Sequence, residues 1–171
     1  MFTTLVAIGT VLMQIATGAL IILWIIKSPL LKIIKDNSHF LIAGIFIASA
    51  IISLIYQYGF GYEPCLLCWY QRIGIFGIAI VSLTGDIRKN KMLQKQILIF
   101  SIFGLAFALL HNYTDIFPGS IDICGAGASC LKRYIYEFGY ITIPMMSLTA
   151  LTLGFVLTLI NIKESKTISL E

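Results

Sequence analysis

Five long apolar runs decide what this chain can become: residues 2–26, 40–58, 66–83, about 96–113 and about 140–160. Each approaches or exceeds the ~20 residues that a helix needs to cross the hydrocarbon core of a bilayer. The fourth is the weakest, being short and polar at both ends. Only 12% of the residues are charged, against roughly a quarter in a soluble domain. The reading is an integral, all-α membrane protein with five spans. The first run is too long for a secretory signal, has no basic start and is not closed by a small-residue cleavage pattern, so it reads as a true span.

The basic residues then report orientation rather than nucleic-acid binding. Lys27, Lys32 and Lys35 fall in the first link. Arg88, Lys89, Lys91 and Lys95 fall in the third, and Lys163 and Lys166 follow the last span. If all five runs cross, these nine lie on one side. The other side holds Glu63, Asp115, Asp122, Glu137, Lys132 and Arg133. The positive-inside rule puts the N-terminus outside and the tail, residues 163–171, in the cytoplasm. All four cysteines, Cys65, Cys68, Cys124 and Cys130, then fall outside, where disulfides persist.

Within this frame the run Glu63-Pro64-Cys65-Leu66-Leu67-Cys68-Trp69-Tyr70-Gln71-Arg72 stands out. Pro64 cannot lie in a helix interior, so the cysteine pair sits at the mouth of the third span. Free N–H groups at a helix start favour a thiolate. Arg72 follows Cys68 by one helical turn on the same face, which aims a permanent cation at the second sulfur. The bland alternative is a structural disulfide or half of a metal site, with Arg72 as an interfacial anchor.

Other stretches carry weaker signals. Gly44, Ala48 and Ser49, and later Gly74 and Gly77, read as faces that let helices pack closely. Residues 30–35 read as a short amphipathic piece at the cytoplasmic surface. Tyr56, Tyr58, Phe60 and Tyr62 read as an aromatic belt. His111 ends the fourth run; it is either an ordinary interfacial histidine or a donor and proton relay for a bound redox partner. Cys124 and Cys130 enclose five small residues, a hoop better suited to opening and closing than to bracing. Leu131, Tyr134, Ile135 and Phe138 recur at helical spacing, as in a short interfacial helix or a plain lead-in to the last span. Pro144, placed inside the fifth run, should kink it.

Zinc asks for about four convergent ligands, and only one of the two cysteine pairs has zinc-like spacing, so no metal is expected. Covalent haem attachment lacks its Cys-x-x-Cys-His motif. Two static disulfides remain an alternative, as in a non-catalytic membrane protein with braced loops, but they leave the helix-mouth position and Arg72 unexplained. A relay accounts for both: a flexible outer pair exchanges with a soluble dithiol protein, and the fixed pair passes electrons to a lipid-soluble acceptor such as a quinone.

The run from Cys65 to Arg72 resembles the signature of the DsbB family of disulfide bond formation proteins, most nearly its BdbC-type branch. The likeness extends through His111-Asn112, the cysteine loop and Phe138-Gly139-Tyr140-Ile141-Thr142-Ile143-Pro144, covering about residues 40–162. Vitamin K epoxide reductases share the four-helix bundle, but there the membrane pair follows the loop cysteines, whereas here it precedes them. The resemblance implies a four-helix transmembrane bundle over 40–162 with two extracytoplasmic cysteine loops. Residues 1–26 would be an additional N-terminal transmembrane helix. It implies a quinone-dependent protein-disulfide oxidoreductase of the cell inner membrane, supporting the folding of exported proteins. A DsbA-like thioredoxin-fold oxidase would attack Cys124, Cys130 would communicate with Cys65, and Cys68 would supply the thiolate that meets ubiquinone or menaquinone. Arg72 would hold the quinone, with His111 near its ring. The loop cysteines stand much closer together than in the enterobacterial type.

Overall fold

The computed structural model describes residues 1–117 and 133–168, with side chains through Lys163. Five helices are described: α1 (Phe2–Ile26), α2 (Leu30–Leu54), α3 (Leu66–Leu83), α4 (Lys91–Ile116) and α5 (Ile143–Ile168). A single π-helical turn, Ile55–Gly59, prolongs α2. All five helices are long and apolar enough to cross a membrane. The fold is all-α, as the hydropathy pattern indicates.

Helices α2 to α5 pack as a bundle, α3 against α4, α4 against α5, and α2 against both α3 and α5. Helix α1 lies chiefly along α5 and barely touches α2. Phe46, Ile42, Ile78 and Leu151 form the middle of the core, all fully enclosed. Helix α1 is pinned by polar groups: the Gln14 amide donates to Thr149 Oγ1 at 3.2 Å, and the Tyr140 hydroxyl donates to Gln14 Oε1 at 2.8 Å. Such contacts hold helices together where lipid provides no hydrophobic drive.

The two ends of the bundle differ. At one end Arg88 pairs with Asp86 at 2.7 Å and reaches the Asp36 carbonyl, and Lys163 lies over the Trp24 ring. Cys65 stands at the other end, separated by the 18 residues of α3, or roughly 27 Å of helix.

Four local expectations are corrected. Residues 30–35 are no separate surface piece but the first turns of α2. The polar stretch that follows does not break the helix because its side chains fold back on it: Asn37 donates to the Ile33 carbonyl and Ser38 to that of Lys35, and Asn161 of α5 donates to Ser38. Pro144 causes no kink, since it is the second residue of α5, where a missing N–H costs nothing. Residues 134–138 form no helix. Phe138 and Gly139 both take left-handed backbone angles (φ 52° and 78°), and the chain reverses there with Glu137 and Ile141 paired. Leu131, Lys132 and the loop cysteines Cys124 and Cys130 lie outside the described residues. Finally, Gly44 faces open space, so the small residues of α2 include one that makes no close helix contact.

The glycines of α3 behave as expected. A Cβ on Gly74 would stand 2.9 Å from the Gly104 Cα, and one on Gly77 would stand 2.6 Å from the Phe100 ring. Gly74→Ala should therefore cost about 1–3 kcal/mol through overpacking against backbone. Gly44→Ala should be neutral or slightly stabilising. Thermal unfolding of the two variants in detergent checks the contrast.

Candidate functional site

Pro64 leads into α3, and Cys65 is the residue that caps it, with extended backbone (ψ 172°) and its sulfur accepting the Cys68 N–H at 3.3 Å. Cys68 follows in the first turn, so the two sulfurs lie 2.9 Å apart. Both are free thiols here, Cys65 buried and Cys68 half-buried. His111 arrives from the far end of α4 and sets its Nε2 3.8 Å from the Cys65 sulfur. It is 3% exposed, and its other ring nitrogen lies 2.9 Å from the Gln71 amide. The Cys68 thiol, hydrogen-bonded to Cys65, is the main cause of a Cys65 thiol held well below its ordinary range. His111 and the Cys68 N–H add to this, against the opposing effect of burial. The helix-mouth N–H thus serves Cys65, a choice between the two sulfurs that spacing alone left open.

Arg72 is buried, one turn beyond Cys68. Its Nε donates to Ser53 Oγ at 2.8 Å, one Nη to the Ser53 carbonyl at 3.0 Å, and the other to Gln57 Oε1. Its guanidinium also lies 5.1 Å from the centre of the Trp69 ring. Three of its five N–H groups are used. Among the described residues no carboxylate pairs with it. A buried cation without a counter-ion has reason to attract electron-rich oxygen.

Cys65, Cys68, Arg72 and His111 all line one cavity of about 140 Å³. Ile52, Ile75 and Met146 give it apolar walls, and α1 adds Val6, Thr10 and Met13. Tyr56 lines it as well, and its buried hydroxyl has no hydrogen-bond partner among the described residues. An apolar chamber with a buried cation and an unanswered hydroxyl suits a flat, apolar molecule bearing carbonyl oxygens, so the residues present fit a quinone head. The ligand atoms of Cys65, Cys68 and His111 lie within 4.8 Å of one another, one short of the four that zinc ordinarily takes.

The chain returning to α5 closes over this end. Arg133 Nε donates to Asp115 Oδ1 at 2.7 Å, and Tyr134 stacks on Tyr62 with ring centres 4.6 Å apart. The supposed aromatic belt is in part this lid: Tyr56 stacks on Tyr62, Phe60 packs tilted against both, and Tyr58 is 77% exposed. Sequence reasoning missed Ser53 and Gln57, although two polar residues four apart near the end of an apolar run mark one helix face. It also passed over Gln71, which sits on the buried face of α3 between Cys68 and Gly74.

The sequence profile of the family described as Disulfide bond formation protein DsbB matches residues 35–159. That range begins within α2 and leaves α1 outside. The chain is 34% identical over 131 residues to a probable disulfide formation protein C 2 of Bacillus anthracis, covering 75% of this chain and 94% of that one. It is 32% identical over 122 residues to a probable disulfide formation protein of Chlamydia pneumoniae, covering 71% and 88%. It is 34% identical over 92 residues to disulfide bond formation protein C of Bacillus subtilis, covering 53% and 67%. No solved structure matches it.

A thiol with a lowered pKa keeps its thiolate as the pH falls below the ordinary thiol range, and loses it only when the pH falls through the lowered value. Iodoacetamide labelling of Cys65 in the reduced protein should therefore be nearly as fast at about pH 6 as at about pH 8. A rate that drops about tenfold for each unit below pH 8 contradicts this.

Proposed function

The chain belongs to the DsbB family of disulfide bond formation proteins, and from that premise we propose that it is a thiol oxidoreductase that reoxidises a DsbA-like thioredoxin-fold protein and delivers the electrons to a membrane quinone, ubiquinone or menaquinone. The observation that carries this is the convergence on one largely apolar cavity of a cysteine pair, a histidine and an arginine that pairs with no carboxylate among the described residues. The cysteine end would face the extracytoplasmic side of the cell inner membrane, as the distribution of basic residues favours. The bundle of residues 40–162 would carry the activity, with α1 an addition that widens the cavity wall.

The chemistry is thiol–disulfide exchange. The reduced partner's thiolate attacks Cys124 of the Cys124–Cys130 disulfide; a mixed disulfide forms and Cys130 leaves as a thiolate. The partner's second thiolate then displaces Cys124, so the partner is oxidised and the loop pair holds two thiols. Cys130 next attacks Cys65 of the Cys65–Cys68 disulfide, forming a new sulfur bond to Cys65 and releasing Cys68 as a thiolate. Cys124 displaces Cys65, which restores the loop disulfide and leaves the membrane pair reduced, two electrons and two protons richer. Arg72 and the start of α3 favour the negative sulfur during this exchange. His111 supports the Cys65 sulfur. The apolar walls and the Tyr62–Tyr134 stack keep bulk water from the pair. A quinone bound in the cavity supplies an acceptor of two electrons and two protons. Arg72, with two N–H groups uncommitted among the described residues, and the Tyr56 hydroxyl would hold its oxygens, with Cys68 and His111 beside its ring.

The reconstituted reaction of purified protein, reduced thioredoxin-fold partner and quinone tests this. Cys68→Ala should abolish quinone reduction. Arg72→Ala should mainly raise the quinone KM, since a binding contact is lost while the thiols remain. A partner whose second cysteine is replaced by alanine should accumulate a mixed disulfide with Cys124, since the thiol that would displace Cys124 is missing. Unchanged quinone dependence in Arg72→Ala, or no mixed disulfide with the partner that lacks its second cysteine, contradicts the reading.

A further inference from the structure

Gln71 is 3% exposed and takes no part in the exchange described above. Its amide lies between α4 and α5. The Gln71 Nε2 stands 2.9 Å from His111 Nδ1 and 3.4 Å from the Phe107 carbonyl oxygen. Its Oε1 meets the Ser147 hydroxyl, which also lies 2.9 Å from the Pro144 carbonyl. A carbonyl oxygen only accepts. Turning the amide over would set Oε1 against the Phe107 oxygen, acceptor to acceptor, so the NH₂ group belongs on the α4 side. One of its hydrogens serves Phe107, and the other faces His111 Nδ1.

That arrangement has a chemical consequence. If Nδ1 accepts from Gln71, the neutral ring carries its proton on Nε2. Nε2 is the nitrogen that faces the Cys65 sulfur at 3.8 Å. We propose that Gln71 is a positioning residue that fixes the His111 tautomer, so that the ring presents an N–H donor to the Cys65 sulfur rather than a lone pair. In this state His111 stabilises a Cys65 thiolate and does not take its proton. Second-neighbour hydrogen bonds of this kind commonly decide which histidine nitrogen is protonated. The inference rests on Cys65 being a reacting thiol in the proposed function.

The test reads the tautomer directly. Nitrogen-15 NMR of the ring in the purified, reduced full-length protein should show His111 with Nδ1 unprotonated and Nε2 protonated. Gln71→Glu, which keeps the shape and offers an acceptor in place of the amide hydrogens, should move the proton to Nδ1. Nucleophilicity is the second readout. In a Cys68→Ala background at about pH 7, Gln71→Leu should slow iodoacetamide labelling of Cys65 at least about threefold, and should slow it no further once His111→Ala is present. A parent ring protonated on Nδ1 overturns the proposal. So does a Gln71→Leu effect of equal size with and without His111, which would mark Gln71 as merely structural. Both readouts work whether or not the protein turns over quinone, so failure of the tautomer assignment and failure of the proposed relay are told apart.

Discussion

The site depends on one close approach, that of α3 and α4 at Gly74 and Gly104. With no side chain at Gly74, the two backbones meet where a Cβ would come within 2.9 Å of the opposing Cα. The helices run in opposite directions, so what stands one turn before Gly74 on α3 faces what stands one turn after Gly104 on α4. Gln71 therefore meets Phe107 and His111. One and a half turns further, Cys65 meets His111. A wider separation would leave the imidazole out of reach of the sulfur, since hydrogen bonds to sulfur fade beyond the distances seen here. The contact sets the chemistry by setting the distance.

Around this seam the bundle tolerates polar groups that lipid would not. Arg72 is buried, yet among the described residues its charge is met by a serine, a glutamine and an indole face rather than by a carboxylate. A carboxylate there would neutralise the cation and leave nothing for a ligand. Neutral partners keep it oriented and still electropositive. The polar set is drawn from α2, α3, α4 and α5, and α1 completes the chamber through Val6, Thr10 and Met13. The helix that precedes the family's matched range is thus part of the wall.

Much of this was legible in the sequence, and the reasons for the rest are physical. Helices α1 and α3 were readable to the residue, because proline or cysteine punctuation coincides with the edge of the apolar run. Helices α2 and α4 extend beyond theirs, because Asn37, Ser38 and Asn112 answer their polar needs on their own helix carbonyls. Hydropathy counts such residues as breaks, whereas the backbone does not. The cysteine pair and Arg72 were visible from spacing. The identity of the sulfur that receives the capping N–H was not, since it turns on the helix beginning after Cys65 rather than before it. Gln71 and Ser147 escaped notice because a lone amide or hydroxyl in an apolar run is ordinarily a packing contact. Only the cross-helix distances distinguish the two cases. The turn at Phe138 and Gly139 defeated the helical period of Tyr134, Ile135 and Phe138, because a glycine in left-handed geometry reverses the chain whatever the pattern of apolar residues.

The central claim is that the Cys65–Cys68 pair is a working redox couple emptied through the chamber beside it, and not a static brace. The most direct measurement is the state of these two sulfurs in living cells, trapped by acid and tagged with a mass-adding maleimide before and after quinone depletion. Cys65 and Cys68 should be disulfide-bonded when quinone is plentiful, become taggable when it is depleted, and lose the tag when quinone is restored. If both sulfurs carry the same number of tags under all three conditions, the pair does not exchange electrons with the membrane, and the account is contradicted.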